Sequence, residues 1–330
     1  MATSLSPSAS LPTVQSLPRI PLIDAARGIA LLAMISYHFA WDLSFYGLIE
    51  TDIAAHPAWR IYAHLIAGSF LALVGVSLVL AHANGINRRS FLRRLAILVA
   101  AAAAVTVGTY FLFPESFIFF GILHEIALAS VLGLFFLRLP WIITLAAAAV
   151  ALALPLVAAS PFFNAPALLW LGLATEVPET NDYVPLFPWF GCVLLGMALA
   201  QIVLGRPALP AWLTWRVPGV LGRGLTLAGR HSLLVYLTHQ LVLLGALWVF
   251  VQVVQPVRTA PFLRSCEATC QNGGTDAATC ARYCGCVGDG VAQLGLWGKV
   301  AANALSPEDR QRLAGMARQC RPASPPAGAE

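Results

Sequence analysis

The stretch that decides the fold is Ile23-Asp-Ala-Ala-Arg-Gly-Ile-Ala-Leu-Leu-Ala-Met-Ile-Ser-Tyr-His-Phe-Ala-Trp-Asp42. It is long and apolar enough to cross a bilayer as a helix, which takes about 20 residues. At about 100° per residue, four ionisable side chains fall within about 60° of one another on the helical wheel: Asp24, Arg27, His38 and Asp42. A charge at the centre of a membrane helix costs about 2.5–3.5 kcal/mol, so such groups usually face protein or a water-filled cavity. We therefore expect the other helices to pack around this polar stripe.

The composition of the whole chain is that of a polytopic membrane protein. Of its 330 residues, 58% are hydrophobic and 11% are charged, and the net charge is +5. Lys299 is the only lysine, so arginines carry the positive charge, and most of them cluster at the predicted helix ends. This pattern indicates membrane orientation and membrane lipid as a partner, with no nucleic-acid partner. Residues 1–18 are rich in Ser, Pro and Ala and are expected to form a disordered tail.

Seven apolar segments are long enough to span, so the predicted fold is an all-α, polytopic transmembrane helix bundle of about seven spans. The segments are 22–40, 61–81, 92–113, 117–137, 140–158, 186–204 and 232–254. Arginines concentrate in the loops after the second, fourth and sixth segments, and acidic residues concentrate in the alternate loops. Because positive loops mark the cytoplasmic side, we expect the N-terminus inside and the C-terminus outside. The transmembrane domain is predicted to cover residues 19–256.

A cysteine-rich tail, residues 257–330, follows the last span. It holds six of the seven cysteines, namely Cys266, Cys270, Cys280, Cys284, Cys286 and Cys320. An even set of cysteines in an external segment favours disulfides. The two C-x3-C pairs favour a helical hairpin closed by Cys266–Cys284 and Cys270–Cys280, with Cys286–Cys320 as a third bridge. The alternative is a zinc site, but the tail contains no histidine and C-x3-C is not the commonest zinc spacing.

A further short helix is predicted to lead to Cys320. Ser306 is a typical N-cap residue, and it is followed by Pro307, Glu308 and Asp309, which favour the first turn of a helix. The small tail is therefore expected to be helical and stapled by disulfides.

His38 is the first candidate for chemistry in the membrane domain. Asp42 lies four residues later, so its carboxylate can accept a hydrogen bond from one ring nitrogen and leave the other nitrogen free as a base. Such a histidine can take a proton from a hydroxyl or amine that attacks an acyl group. The alternative is a helix end at which His38 and Asp42 meet water and lipid headgroups.

Other ionisable residues could complete a site. Arg27 could bind a phosphorylated ligand or anchor its helix to lipid phosphates, and Asp24 is either its ion-pair partner or the N-cap. Glu125 is expected about 10–12 Å inside the fourth span, where a carboxyl is costly unless it is paired or protonated. His239 is expected near mid-membrane with Tyr236 on the same face, and His231 is expected at the cytosolic end.

Several motifs, taken together and in order, resemble one family. They are Arg27-Gly-Ile-Ala30, Tyr37-His-Phe-Ala-Trp-Asp-Leu43, Gly68-Ser-Phe-Leu-Ala-Leu-Val-Gly-Val-Ser77, Tyr183-Val-Pro-Leu-Phe-Pro-Trp-Phe-Gly191 and Gly229-Arg-His-Ser-Leu-Leu-Val-Tyr-Leu-Thr-His-Gln240. They resemble the bacterial relatives of heparan-α-glucosaminide N-acetyltransferase, over residues 19–254. The spacing of Arg27 and His38 is also similar to the first-helix motif of acyltransferase family 3.

The resemblance implies an acyltransferase that moves an acyl group from cytosolic acetyl-CoA or another acyl-CoA to an extracytoplasmic sugar or glycan. A histidine would act as base or transient acyl carrier. His56 falls where the lysosomal enzyme has its active histidine, although His38 is the residue favoured here, and Asp42, Glu125 and His239 complete the expected catalytic set. No metal is expected. The implied location is the bacterial inner membrane with a periplasmic tail, and a homo-oligomer is compatible with the sequence.

An arginine-rich cytosolic rim would hold the phosphates of coenzyme A. The residues expected to form it are Arg27, Arg93, Arg94, Arg230 and His231. The alternative to an enzyme is a transporter or scaffold that uses the buried His, Glu and Asp groups as a path for protons or a solute.

Overall fold

The computed structural model of the chain contains helices and no strands in the residues that it describes. These are residues 20–49, 51–206, 210–254, 259–301 and 305–320, so the predicted tail at 1–18 lies outside them. They group into two compact units. Among the described residues, the first unit comprises those within 20–38 and 57–241, and the second comprises those within 39–56 and 242–320. The all-α prediction is confirmed for the described part of the chain.

Within the described residues, six helices are long and apolar enough to cross a membrane. They are α1 (Pro21–Phe45), α2 (Pro57–His82), α3 (Arg88–Leu112), α5 (Trp141–Ala158), α6 (Leu186–Leu204) and α8 (Ser232–Val254). They occupy six of the seven predicted spans. An additional helix, α7 (Gly219–Arg230), runs to the start of α8.

The fourth predicted span is shorter than expected. Its helix α4 is Ile122–Gly133, continued by a 3-10 turn at Leu134–Phe136. The preceding residues are extended because their backbone pairs with a distant loop: Asn181 N–H donates to Ser116 O at 3.0 Å, and Val184 N–H donates to Phe120 O at 3.2 Å. The seventh apolar segment is thus a short helix held at its start by residues 181–184.

The core of the first unit surrounds α6, which packs against α2, α4 and α5. Val193, Leu194 and Met197 of α6 are almost fully buried. The crossing with α2 is close because two glycines meet backbone: a Cβ at Gly75 would lie 2.0 Å from Val193 O, and a Cβ at Gly196 would lie 2.0 Å from Ala72 O. Small residues of this kind let membrane helices approach closely.

The second unit contains the cysteine-rich helices α9 (Thr259–Asn272), α10 (Ala277–Gln293), α11 (Trp297–Ala301) and α12 (Pro307–Gln319). Its disulfides are Cys266–Cys284, Cys270–Cys280 and Cys286–Cys320, which are the pairs that the spacing favours. Ser306 caps α12 by accepting the Asp309 N–H, as predicted. With all six sulfurs in disulfides, no thiolate of these cysteines is available to bind zinc.

Candidate functional site

The first unit contains a cavity of about 680 Å³. It is lined by residues of α1, α2, α3, α4 and α8 and of the α7–α8 junction. Its polar wall includes all five residues that the sequence suggests for phosphate binding, namely Arg27, Arg93, Arg94, Arg230 and His231. The structure therefore gathers into one site positive groups that lie up to about 200 positions apart in sequence.

Asp24 fixes two of these arginines. Arg27 Nη1 donates to Asp24 Oδ1 at 2.9 Å, and Arg230 Nε lies 3.4 Å from Asp24 Oδ2. Arg230 can reach this carboxylate because Gly229 abuts α1: a Cβ there would lie 1.8 Å from Asp24 O. Arg27 also donates to Ser77 Oγ. Asp24 is thus an ion-pair partner, and it holds the two guanidinium groups in fixed positions at the cavity.

Most of the other residues that line the cavity are apolar. They include Phe70, Ile97, Leu123, Ile126 and Leu237. A cavity lined by both positive and apolar groups suits a ligand that has both phosphate and uncharged parts. Its volume lies within the usual range for small-molecule sites, which is about 300–1,000 Å³.

Two histidines from distant parts of the chain meet in the first unit. The ring centroids of His38 on α1 and His239 on α8 are 4.9 Å apart. His239 is buried, with 9% of its surface exposed. Its Nδ1 lies 2.6 Å from Tyr236 O. Because a carbonyl oxygen only accepts hydrogen bonds, Nδ1 carries the proton, and Nε2 holds the free lone pair when the ring is neutral.

The Nε2 atom of His239 is buried and has no hydrogen-bond partner among the described residues. Buried polar atoms are usually paired, so an unpaired one calls for an explanation such as a catalytic role or a missing ligand. The arrangement can supply a base with a defined tautomer, next to a second imidazole.

Tyr236 connects the histidine pair to the cavity. Its ring centroid is 5.8 Å from that of His239, and the residue also lines the cavity. The two histidines are not among the lining residues themselves. Sequence reasoning placed Tyr236 on the face of His239 but gave it no role.

Glu125 is enclosed, as its sequence context suggested, but at a different depth in its helix. It lies in the first turn of α4, with 0% of its surface exposed. Neither carboxyl oxygen has a hydrogen-bond partner among the described residues. Leu123 and Ile126 line the cavity, whereas Glu125 does not. The expected depth of 10–12 Å is wrong because the helix begins at Ile122 and not near Phe117.

Asp182 is a buried carboxylate that sequence reasoning treated only as one of the acidic loop residues. Its Oδ2 accepts the backbone N–H of Ile122 at 2.9 Å, so it caps α4 from a distance. Burial raises the pKa of Asp182 to about 6, and the Ile122 N–H opposes that rise. A Cβ at Gly121 would lie 2.3 Å from this oxygen. Gly121 precedes the helix and has no side chain that could cap it. This is the sequence signal that could have indicated a cap from another part of the chain.

Two of the predicted catalytic residues belong to the second unit. Asp42 is fully buried there, and His56 is exposed in the loop before α2. The hydrogen bond between His38 and Asp42 and the catalytic role of His56 stay predictions.

Comparison with known proteins identifies one family. Residues 19–241 match the family described as heparan-alpha-glucosaminide N-acetyltransferase, catalytic. No curated protein and no solved structure matches the chain. The matched region includes every lining residue of the cavity and both histidines of the pair.

Proposed function

The chain belongs to the heparan-α-glucosaminide N-acetyltransferase catalytic family, and from this premise we propose that it is an acyl-CoA-dependent membrane acetyltransferase. The acetyl group passes from acetyl-CoA to a sugar or glycan acceptor. The observation that carries the proposal is the cavity that four arginines and His231 line together with apolar residues, and that Tyr236 connects to the His38–His239 pair.

The arginine wall suits the phosphates of the donor. Coenzyme A carries a pyrophosphate and a further phosphate on its ribose, and guanidinium groups bind phosphate through paired charge-assisted hydrogen bonds. Arg27 and Arg230 are held in place by Asp24 before any ligand arrives, which lowers the ordering cost of binding. The apolar residues that line the cavity then contact the uncharged arm that leads to the thioester.

His239 serves as the base in this proposal. Its Nε2 takes the proton from the acceptor amine or hydroxyl as that group attacks the thioester carbonyl. The neighbouring His38 either shares this proton or carries the acetyl group transiently. Glu125, Asp42 and His56 remain proposed members of the catalytic set, each supported by burial or by position in the family motif.

The orientation is also part of the proposal. The arginines at the α2–α3 and α7–α8 junctions support a cytosolic position for the phosphate-binding groups, because positive residues favour the cytoplasmic side. In this proposal the acceptor enters from the extracytoplasmic side, and the C-terminal tail is extracytoplasmic. In a bacterium this corresponds to the inner membrane with a periplasmic tail.

The first experiment tests donor binding. We expect acetyl-CoA to raise the melting temperature of the protein in detergent, by mass action, while acetyl-pantetheine, which lacks the nucleotide phosphates, has a much smaller effect. Arg93→Gln should weaken acetyl-CoA binding by about tenfold, which corresponds to about 1.4 kcal/mol. Arg89→Gln is the matched control, because Arg89 is an exposed arginine of the same helix that does not line the cavity.

The second experiment tests transfer. Purified protein in nanodiscs should release free coenzyme A from acetyl-CoA when acceptor glycans are added. His239→Ala and His38→Ala should each lower kcat by about 100-fold or more, and His64→Ala, an exposed histidine on α2, should not. Full activity of His38→Ala would remove that residue from the mechanism. Stabilisation by an external solute alone, with none by acetyl-CoA, would support the transporter alternative.

A further inference from the structure

Tyr236 lies at the boundary between the cavity and the histidine pair. It packs against all three apolar clusters of the first unit, whose buried members include Leu71, Met34 and Leu123. A ring that is fixed by three separate clusters has little freedom to turn. Its hydroxyl is therefore presented in one place.

The Tyr236 hydroxyl makes no hydrogen bond with another described residue. Asp182 interacts with it electrostatically, but no hydrogen bond joins the two side chains. Close by, His239 Nε2 is buried and also lacks a hydrogen-bond partner within the described residues. The Tyr236 hydroxyl can donate a hydrogen bond, and the His239 Nε2 lone pair can accept one. Next to the cavity there is thus one hydrogen-bond donor and one acceptor that a ligand could use.

We propose that Tyr236 is a further catalytic residue, whose hydroxyl donates a hydrogen bond to the thioester carbonyl oxygen of the acyl donor. This inference rests on the proposed function. The acceptor nitrogen or oxygen bonds to the carbonyl carbon, and the carbonyl π pair moves onto the oxygen, which becomes negative. Tyr236 stabilises that charge without giving up its proton.

The remaining step balances without another reactant. His239 takes the proton of the attacking group, the oxygen lone pair re-forms the carbonyl, and the carbon–sulfur bond breaks. The proton then passes from His239 to the leaving thiolate, which yields free coenzyme A and the acylated acceptor. If an acyl-histidine forms first, the same carbonyl oxygen becomes negative in each half of the reaction, and Tyr236 serves both.

A hydroxyl fixed in this way stabilises the negative carbonyl oxygen of the transition state more than the neutral carbonyl of the bound donor. A donor that is already in position pays no reorganisation cost when charge develops. In a site of low polarity, one such donor accounts for about 100- to 1,000-fold in kcat. Since the arginine wall holds the phosphates, loss of the hydroxyl should affect kcat far more than the KM for acetyl-CoA.

The test compares Tyr236→Phe with Tyr110→Phe. Tyr110 is an exposed tyrosine of α3 that does not line the cavity. We expect Tyr236→Phe to lower kcat by about 100-fold with the acetyl-CoA dissociation constant changed by less than about threefold, and Tyr110→Phe to change neither. If Tyr236→Phe keeps at least half of the wild-type kcat, the inference is overturned.

A spectroscopic measurement separates this role from a structural one. The infrared carbonyl band of acetyl-CoA labelled with ¹³C at the thioester carbon should shift to lower frequency on binding to the wild type, and less so on binding to Tyr236→Phe. An equal shift in both proteins would also overturn the inference. Should Tyr236→Phe fail to fold, a fluorinated tyrosine at position 236 keeps the ring and alters the acidity of the hydroxyl. The inference then requires that both the kcat and the thioester carbonyl frequency of this variant differ from those of the wild type.

Failure of the proposed function would look different. A wild-type protein that neither binds nor consumes acetyl-CoA overturns the acetyltransferase proposal, and the role of Tyr236 with it. A wild-type protein that is active, together with an equally active Tyr236→Phe, overturns the role of Tyr236 alone.

Discussion

Two close helix contacts, one in each unit, are held together by different means. In the first unit, α2 and α6 cross with backbone against backbone, because Gly75 and Gly196 have no Cβ. In the second unit, a Cβ at Gly290 would lie 1.9 Å from Met316 Sδ, which is the end of a flexible side chain. There α10 and α12 are also joined by the Cys286–Cys320 disulfide.

The difference follows from the stabilising interactions that are available to each set of helices. Between membrane helices the hydrophobic effect gives little driving force, because lipid is as apolar as the helix surface, so close packing must supply the stability. The cysteine-rich helices are short, with 14 residues in α9, 17 in α10 and 13 in α12. Small domains with a limited core are usually stabilised by disulfides. The predictions below test this contrast, in order of decreasing effect.

The largest effect is expected at the α2–α6 crossing. Gly75→Val and Gly196→Val each place a side chain onto a backbone oxygen that cannot move without separating the helices. We expect each to destabilise the protein by about 3 kcal/mol. The pair should cost about 5 kcal/mol, less than the sum, because both substitutions separate the same two helices. Thermal unfolding in detergent measures the loss. Gly108→Val in α3 is the matched control, since open space surrounds that glycine, and an equal loss there would contradict the packing explanation.

The second effect is expected at the third disulfide. Its cysteines are 34 residues apart, so chain entropy predicts that replacing both by serine costs about 4 kcal/mol. We expect trypsin to cut α12 at Arg310, Arg312 and Arg318 in this variant. The Cys270–Cys280 pair spans only 10 residues and lies inside the Cys266–Cys284 loop, so its removal should matter less. Continued protection of α12 would show that packing alone holds it.

A smaller effect is expected at the start of α4. Gly121→Ala would bring a Cβ within 2.3 Å of Asp182 Oδ2 and displace the cap. Loss of a helix cap costs about 1–2 kcal/mol. Asp182→Asn, which keeps an accepting oxygen, should cost less than Asp182→Ala. Equal melting temperatures for these two variants would show that the Ile122 hydrogen bond contributes nothing measurable.

The smallest effect is expected from the ion pair in the second unit. The Lys299 ammonium donates to Asp309 Oδ2 at 2.7 Å, and with the Ser306 hydroxyl it lowers the pKa of Asp309 to about 2. A carboxyl whose pKa is lower when folded contributes stability above its unfolded pKa, which is about 3.9. That contribution should be lost as the pH falls from about 4 to about 2. In the Asp309→Asn variant, the stability of α12 should no longer depend on pH between about 4 and about 2, as circular dichroism can measure. If the pH dependence is the same as in the wild type, other carboxyl groups cause it.

Much of the fold follows from local sequence. Six predicted spans and the start of α12 are confirmed. Both depend on local signals: a span on the length of one continuous apolar segment, and a helix start on the capping residues next to it. The disulfide pairs follow from the spacing of the cysteines on two helix faces. The fourth apolar segment does form a helix, but it begins later than predicted. Its first residue, Ile122, is capped by Asp182, which lies 60 positions later and leaves no trace in the local hydropathy.

The candidate site divides in the same way. The sequence alone determined that arginines and histidines occur within apolar helices, where burial of a charge is unfavourable. This can be recognised from each helix separately. Only the tertiary structure decided that Arg27, Arg93, Arg94 and Arg230 share one cavity and that His38 meets His239. It also gave Tyr236 its place between them, because the contacts of one helix with another depend on how the helices turn and pack, which no single segment specifies.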